Sequence, residues 1–373
     1  VSGIGLVGWL LSGSGAQARL GEGVQPIILP GLVYQGNASC AGSNCHGADE
    51  ATEQSGQLIG DENLIWSDSD PHAHAYLSLK EDLSKTICEK LNLPDPLTAE
   101  RCLACHATPA PQDKRGELFS IEDAAGCESC HGPAAKWLNP HAEKGWTSKQ
   151  RQAIGAKGLL EQFGLCDTSN LAVRANTCVA CHLQTDKDMI DAGHPTQEFE
   201  LYAYNYYTSK KPDAEFLIHW EEPSRQMRDA ALWAVGQAAS RVAAEAQIAQ
   251  WKSKGWDTQD AQGLLAVYEA GVAVAKKHFG DDTVQGLAEA RITPQSAAAA
   301  AADLAQAAPQ ASNPEQRRTI AFGVAALGSA VFDGSGRDIP DEFWEAYIAA
   351  TSGEGGDPYV AALNQMVELA NKQ

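Results

Sequence analysis

Four times between residues 40 and 182 a pair of cysteines is followed at once by a histidine, and this recurrence constrains the chain more than any other feature. Three copies have two residues between the cysteines: Cys102-Leu-Ala-Cys105-His106, Cys127-Glu-Ser-Cys130-His131 and Cys178-Val-Ala-Cys181-His182. The first copy in the chain is longer, Cys40-Ala-Gly-Ser-Asn-Cys45-His46. A disulfide framework has no use for a histidine after every second cysteine. Zinc would need cysteines to pair across motifs and would leave three histidines without a purpose. A thioredoxin-like site needs one Cys-x-x-Cys in a βαβ setting, which is absent. Covalent haem attachment uses every residue of the pattern: two thiols add to the two vinyl groups of one haem, and the adjacent imidazole is held under the iron. The expectation is therefore four haem c groups with their iron, attached at Cys40 and Cys45, Cys102 and Cys105, Cys127 and Cys130, and Cys178 and Cys181. The proximal ligands are then His46, His106, His131 and His182. In the long motif two extra residues loop out; the competing reading joins Cys40 to Cys45, Cys88 or Cys166 as a disulfide.

Cys88 and Cys166 have no following histidine. An unpaired thiol is a liability in an oxidising compartment, so a Cys88–Cys166 disulfide is expected, against the alternative of two buried reduced cysteines. Six histidines remain to act as sixth ligands: His72, His74, His141, His194, His219 and His278. Met189, Met227 and Met366 lie in no ligand context, so bis-histidine ligation is the expectation, and it lowers the reduction potential relative to His/Met. His141 follows His131 too closely to serve anything but a neighbouring haem, and His194 sits in a Gly-His-Pro turn. His219 precedes Trp220, and His72 and His74 lie two apart, so only one of them faces a given iron. His72, His141, His194 and His219 are the distal candidates; His278, beside Lys276 and Lys277, reads as a surface residue.

The style of the chain changes near residues 220–225. All ten cysteines and nine of the ten histidines precede that point, among frequent Gly, Pro, Asp and Asn with weak periodicity. Such a segment makes a poor aliphatic core and a sensible wrapping for porphyrin. Beyond it alanine dominates. Leu232, Val235, Ala239, Val242, Ala246 and Ala249 predict one amphipathic helix, and Leu265, Tyr268, Val272, Ala275 and Phe279 another. Thr293-Pro294, Asn313-Pro314 and Asp357-Pro358 each read as a capping residue followed by proline at the first helical position. The fold expected is mainly α: a loop-rich multihaem cytochrome c domain over 19–222, then an all-α, Ala-rich helical domain over 223–373. Residues 1–18 read as an export signal or an apolar N-terminal arm; the apolar run is too short to span a bilayer.

Several longer stretches resemble the multihaem c-type cytochromes related to cytochrome c-554. They are Trp66 to Leu77, with Asp70-Pro-His72 and Ala75-Tyr76; Gly126-Cys-Glu-Ser-Cys-His-Gly-Pro133 with Trp137-Leu, Pro140-His141 and Gly145-Trp146; and Asp191-Ala-Gly-His194-Pro195 with Phe199-Glu200-Leu201 and His219-Trp220. The resemblance covers roughly residues 36–235. It implies closely stacked haem pairs, bis-histidine ligation and a mostly helical, loop-rich fold, and it favours His72 over His74. Relatives continue with a further haem motif where this chain has no cysteine, Gly255-Trp256-Asp257 being the nearest remnant. One iron in the family can stay five-coordinate.

The function expected is that of a periplasmic or cell-surface electron carrier rather than an enzyme. The alternative is a multihaem oxidoreductase acting on a small nitrogen or sulfur compound at a five-coordinate haem. The formal net charge of −20 argues against nucleic acid as a partner and favours docking on basic patches of redox partner proteins. A homo-oligomer or filament, or membership of a membrane respiratory complex, is a further expectation about partners.

Overall fold

The computed structural model describes residues 31–50, 52–54, 57–143, 146, 148–207, 227–284, 291–352 and 355–372. The apolar segment 1–18, Gly145, His219 and Trp220 lie outside the described residues. The fold is mainly α, as expected. The one exception is an antiparallel pair of three-residue strands, β1 (Thr52–Gln54) and β2 (Gln57–Ile59), in register from Thr52 opposite Ile59. No helix among the described residues is long and apolar enough to cross a membrane.

The chain divides into two compact units. One holds the described residues up to Pro195. Its helices are short: α1 (Glu62–Ser69), α2 (Asp82–Lys90), α3 (Glu100–His106), α4 (Cys127–His131), α5 (Leu138–His141), α6 (Ser148–Phe163), α7 (Leu171–His182) and α8 (Lys187–Ala192). Single 3-10 turns separate them, at Asn37–Ser39, Pro71–His74, Leu77–Lys80 and elsewhere. Two small apolar clusters lie within it. One gathers Tyr76, Leu79, Ile87, Cys88, Cys102 and Met189; another gathers Ala134, Trp137, Leu159 and Leu165.

The second unit holds residues 196–206 and the described residues from 227 onward. It starts earlier in the chain than the 222/223 boundary expected from composition, because the segment around α9 (Leu201–Tyr207) is fastened to the helices that follow. The Tyr268 hydroxyl donates to the Phe199 carbonyl at 3.0 Å, and Arg318 Nε donates to both Glu198 carboxylate oxygens at 2.7 and 3.0 Å. The long helices are α10 (Arg228–Ser253), α11 (Gln259–Phe279), α13 (Pro294–Ala305), α14 (Pro314–Gly334), α15 (Asp341–Thr351) and α16 (Asp357–Asn371), with the short α12 (Asp281–Val284) after α11. Thr293 and Asn313 cap α13 and α14 with proline at the first position, as the sequence predicts. At α16 the cap is Gly356 instead, one residue earlier than expected.

The narrow seam predicted for α10 is only partly realised. Leu232, Val235 and Ala239 are buried, but Ala246 and Ala249 are exposed and Val242 is half-buried. The N-terminal half of α10 is buried around its whole circumference, and its C-terminal half turns Ala243, Ala244, Gln247, Ile248 and Trp251 inward. On α11, Tyr268, Val272, Ala275 and Phe279 face the core as predicted, joined by Leu264 rather than Leu265. Small residues allow this density. A methyl group on Gly323 of α14 would come within 2.5 Å of the Trp233 indole nitrogen and 2.6 Å of Leu304.

Candidate haem-binding site

Each standard motif lies at the end of a helix whose last residue is the motif histidine: α3 ends at His106, α4 at His131 and α7 at His182. Helical spacing explains the pattern. Residues i and i+3 share a face, so both thiols look the same way, and the histidine at i+4 lies one turn beyond the first cysteine. Asn170 starts α7 by accepting from Ala172 and Val173 through its side chain. Gly132, at φ 78°, ends α4; a side chain there would strike the Gly164 carbonyl oxygen at 2.2 Å. In the long motif the intervening residues curl into turns closed by Cys45 N–H to Gly42 and Gly47 N–H to Gly42, while the His46 N–H returns to the Cys40 carbonyl at 3.1 Å. The insertion is therefore absorbed locally, as expected.

The structure pairs motif histidines with spare ones. The ring centres of His46 and His141 stand 6.1 Å apart with planes inclined by 8°. Those of His72 and His182 stand 6.0 Å apart at 84°, and those of His106 and His194 stand 6.3 Å apart at 75°. Two imidazoles bound to opposite faces of one metal, each about 2 Å from it and with the ring centre about 1.1 Å behind the nitrogen, stand roughly 6.2 Å apart. All three pairs meet that spacing. His74 is exposed and enters none of them. His278 instead bridges α11 and α13 through Asp303 at 2.6 Å. The partner of His131 is not among these pairs, and His219 lies outside the described residues.

In His46, His72, His106, His141 and His194 the ring Nδ1 is held by an acceptor of the chain. His46 Nδ1 lies 2.8 Å from Glu62 Oε2, and His72 Nδ1 lies 2.8 Å from Asp70 Oδ1. His106 Nδ1 meets the Ala75 carbonyl at 2.9 Å and the Ser78 hydroxyl at 3.0 Å. His141 Nδ1 donates to the Leu138 and Trp137 carbonyls, and His194 Nδ1 donates to the Pro195 carbonyl at 2.9 Å. Anchoring Nδ1–H leaves the Nε2 lone pair free, which fixes the tautomer and ring direction that a metal needs.

The electrostatics differ between rings. Glu62 raises His46, chiefly through the hydrogen bond. Burial pushes His72 down, but the hydrogen bond and charge of Asp70 outweigh it and raise it. Burial lowers His106, and burial followed by the charge of His72 brings His182 down to about 4. Burial pushes the Cys178 thiol up to about 12.

The cysteines of different motifs adjoin one another. Cys127 is pushed up first by the neighbouring Cys40 thiol and Cys181 first by the neighbouring Cys105 thiol, and Cys130 lies within the electrostatic reach of Cys178 and Cys181. The expected Cys88–Cys166 disulfide is absent: both cysteines are free and buried. The fold gives them different neighbours. Cys88 Sγ lies 3.8 Å from Cys102 Sγ, whereas Cys166 follows α6 and its N–H donates to the His131 carbonyl at 2.9 Å.

Three carboxylates beside the motifs were not singled out by sequence reading. Glu62 and Asp70 orient the His46 and His72 rings. Glu128, inside the third motif and 3 % exposed, accepts from the N–H groups of Gln35, Gly36 and Ala134 at 2.6–2.9 Å and so ties the lead-in to the loop after α4. A charged residue between two attachment cysteines was the available signal for Glu128; Asp-Pro-His was the signal for Asp70. Glu62 carried none, because it lies sixteen residues from its partner.

The donor set fits c-type haem: thiols in pairs on one helix face, a histidine a turn away, and a second imidazole at the spacing of a shared iron. No curated protein and no solved structure matches the chain. Residues 39–132, which hold the first three attachment motifs and His72, match the family model described as cytochrome c554 and c-prime, so the chain carries a cytochrome c554 family domain, which implies c-type haem and electron transfer.

Proposed function

We propose that this chain is an exported tetrahaem electron carrier of the periplasm or cell surface. The observation that carries the reading is the set of three imidazole pairs, each joining one motif histidine to one histidine from elsewhere in the chain. A bound haem would supply a one-electron couple, with the chemistry residing in the cofactor. The chain's residues supply attachment, ligation and order. His46 with His141, His106 with His194, and His182 with His72 would close both faces of three irons, which suits electron transfer rather than substrate binding. His131 would hold the fourth, with His219 as its second ligand.

The adjoining thiols give the order. The first motif meets the third through Cys40 and Cys127, the third meets the fourth through Cys130 and Cys178, and the fourth meets the second through Cys181 and Cys105. The attachment points thus form one line, first–third–fourth–second, with its ends free to serve redox partner proteins. The acidic net charge of −20 suits basic docking faces on those partners; self-association or a place in a respiratory complex would extend the line.

Intact mass of the exported protein is expected to exceed that of the polypeptide by four haems. Electron paramagnetic resonance is expected to show low-spin iron of two kinds, one for the near-parallel His46–His141 pair and one for the near-perpendicular pairs. Fewer than four haems would overturn the count. A high-spin signal that persists on full oxidation would move the reading to an enzyme with an open iron.

A further inference from the structure

We infer that the chain makes its electron sites unequal by choosing the acceptor behind each ligand ring, so that the second-motif site, at His106 and His194, is the most oxidising of the three paired sites. The inference rests on the bis-imidazole reading above.

At the first motif His46 hands its Nδ1 proton to a carboxylate, Glu62, which also accepts from Gly60 N–H at 2.9 Å and is therefore fixed in place. At the fourth motif His72 does the same to Asp70. That carboxylate is 7 % exposed and caps its own turn, Pro71–His74, through the His72 N–H at 2.9 Å. At the second motif both rings have neutral acceptors only: the Ala75 carbonyl and Ser78 hydroxyl behind His106, the Pro195 carbonyl behind His194. The ion-paired Arg101, held by Asp186 and Asp188 at 2.8 and 2.6 Å, flanks Cys102 but touches neither ring.

An anion behind the imidazole increases its basicity and stabilises the more positive, oxidised metal, so it lowers the reduction potential; a carbonyl does so less. Burial strengthens the effect, since the charge acts through a poor dielectric. Asp70 is the more buried of the two anions. The line of sites therefore carries its anions at one end and at its middle, and its neutral acceptors at the other end. Electrons entering a partly reduced protein collect at the second motif, which makes that end the exit.

The test is spectroelectrochemical titration of the full haem-loaded chain beside E62Q, D70N and H194M, each with its resonance spectrum. Gln and Asn keep the acceptor and lose the charge. E62Q is expected to raise one midpoint potential by about 59 mV, a tenfold change in the reduction equilibrium of a one-electron couple. D70N is expected to raise one potential by at least that much. Neither moves the most positive couple. H194M marks the second-motif site, because His/Met ligation has the higher potential, and is expected to displace that most positive couple upward. Unchanged potentials in E62Q and D70N with low-spin spectra intact would overturn the inference and leave the ligand pairs standing. A displacement of a lower couple by H194M would also overturn it. High-spin iron at these sites in the unaltered protein would remove the ligand reading itself.

Discussion

The two units build their interiors in opposite ways. Up to Pro195 the helices are short, the turns frequent and the apolar clusters small, and the conspicuous side chains of the interior are thiols, imidazoles and carboxylates. From residue 227 the helices run to 26 residues, and alanine and glycine let them approach closely around Trp233, Tyr268, Phe279, Phe332 and Phe343. A polypeptide with few large apolar side chains can fold by close helix contact or by wrapping a large apolar group. The helical unit takes the first route, and the cysteine-rich unit has the composition for the second. On that reading folding of the first unit would depend on attachment chemistry, and folding of the second would not.

The largest expected effect tests that difference directly. Made without haem attachment, the chain should lose protease resistance across residues 31–195 and keep it from residue 227 onward, read as mapped fragments in limited proteolysis. Equal loss in both units would break the comparison. Next, Trp233→Ala removes a fully buried indole from the helical unit and should cost about 3–5 kcal/mol by chemical denaturation. The haem absorption spectrum should stay unchanged at low denaturant. A smaller effect concerns Glu200, wholly buried beside Asp229. Burial raises its carboxyl to about 7, partly offset by the Ala203 and Tyr202 N–H groups. The folded state then binds a proton more tightly than the unfolded chain does. Stability of the helical unit should be fullest below about pH 4.3 as far as this group is concerned, fall as pH rises toward 7 and level off beyond, by roughly 4 kcal/mol at most. Glu200→Gln should flatten that slope in denaturation series at different pH. A slope that survives the substitution would assign it elsewhere.

How far this was legible in the sequence depends on how local each feature is. The four Cys and His motifs were legible because their residues lie close along the backbone, three of them at helical spacing. The caps of α13 and α14 were legible because Thr-Pro and Asn-Pro act on the next three residues. The seam of α10 was misread at Val242, Ala246 and Ala249, because a helix wrapped on all sides at one end carries no single stripe along its length. The candidate distal histidines were named, but their assignments were not. His141 turns to His46, ninety-five residues earlier, and His72 turns to His182, farther still. Cys88 and Cys166 looked like partners only because each lacked one; the fold sets Cys88 beside Cys102 and Cys166 beside His131.

The chemistry implied for the chain, that of c-type haem, was legible in the sequence alone, since attachment demands residues close along the backbone. Which imidazole faces which, where a carboxylate stands behind a ring, and the order in which the attachment points adjoin were decided only by the tertiary structure. Those relations join residues tens of positions apart, and their distances are set by how short helices pack rather than by any spacing along the chain.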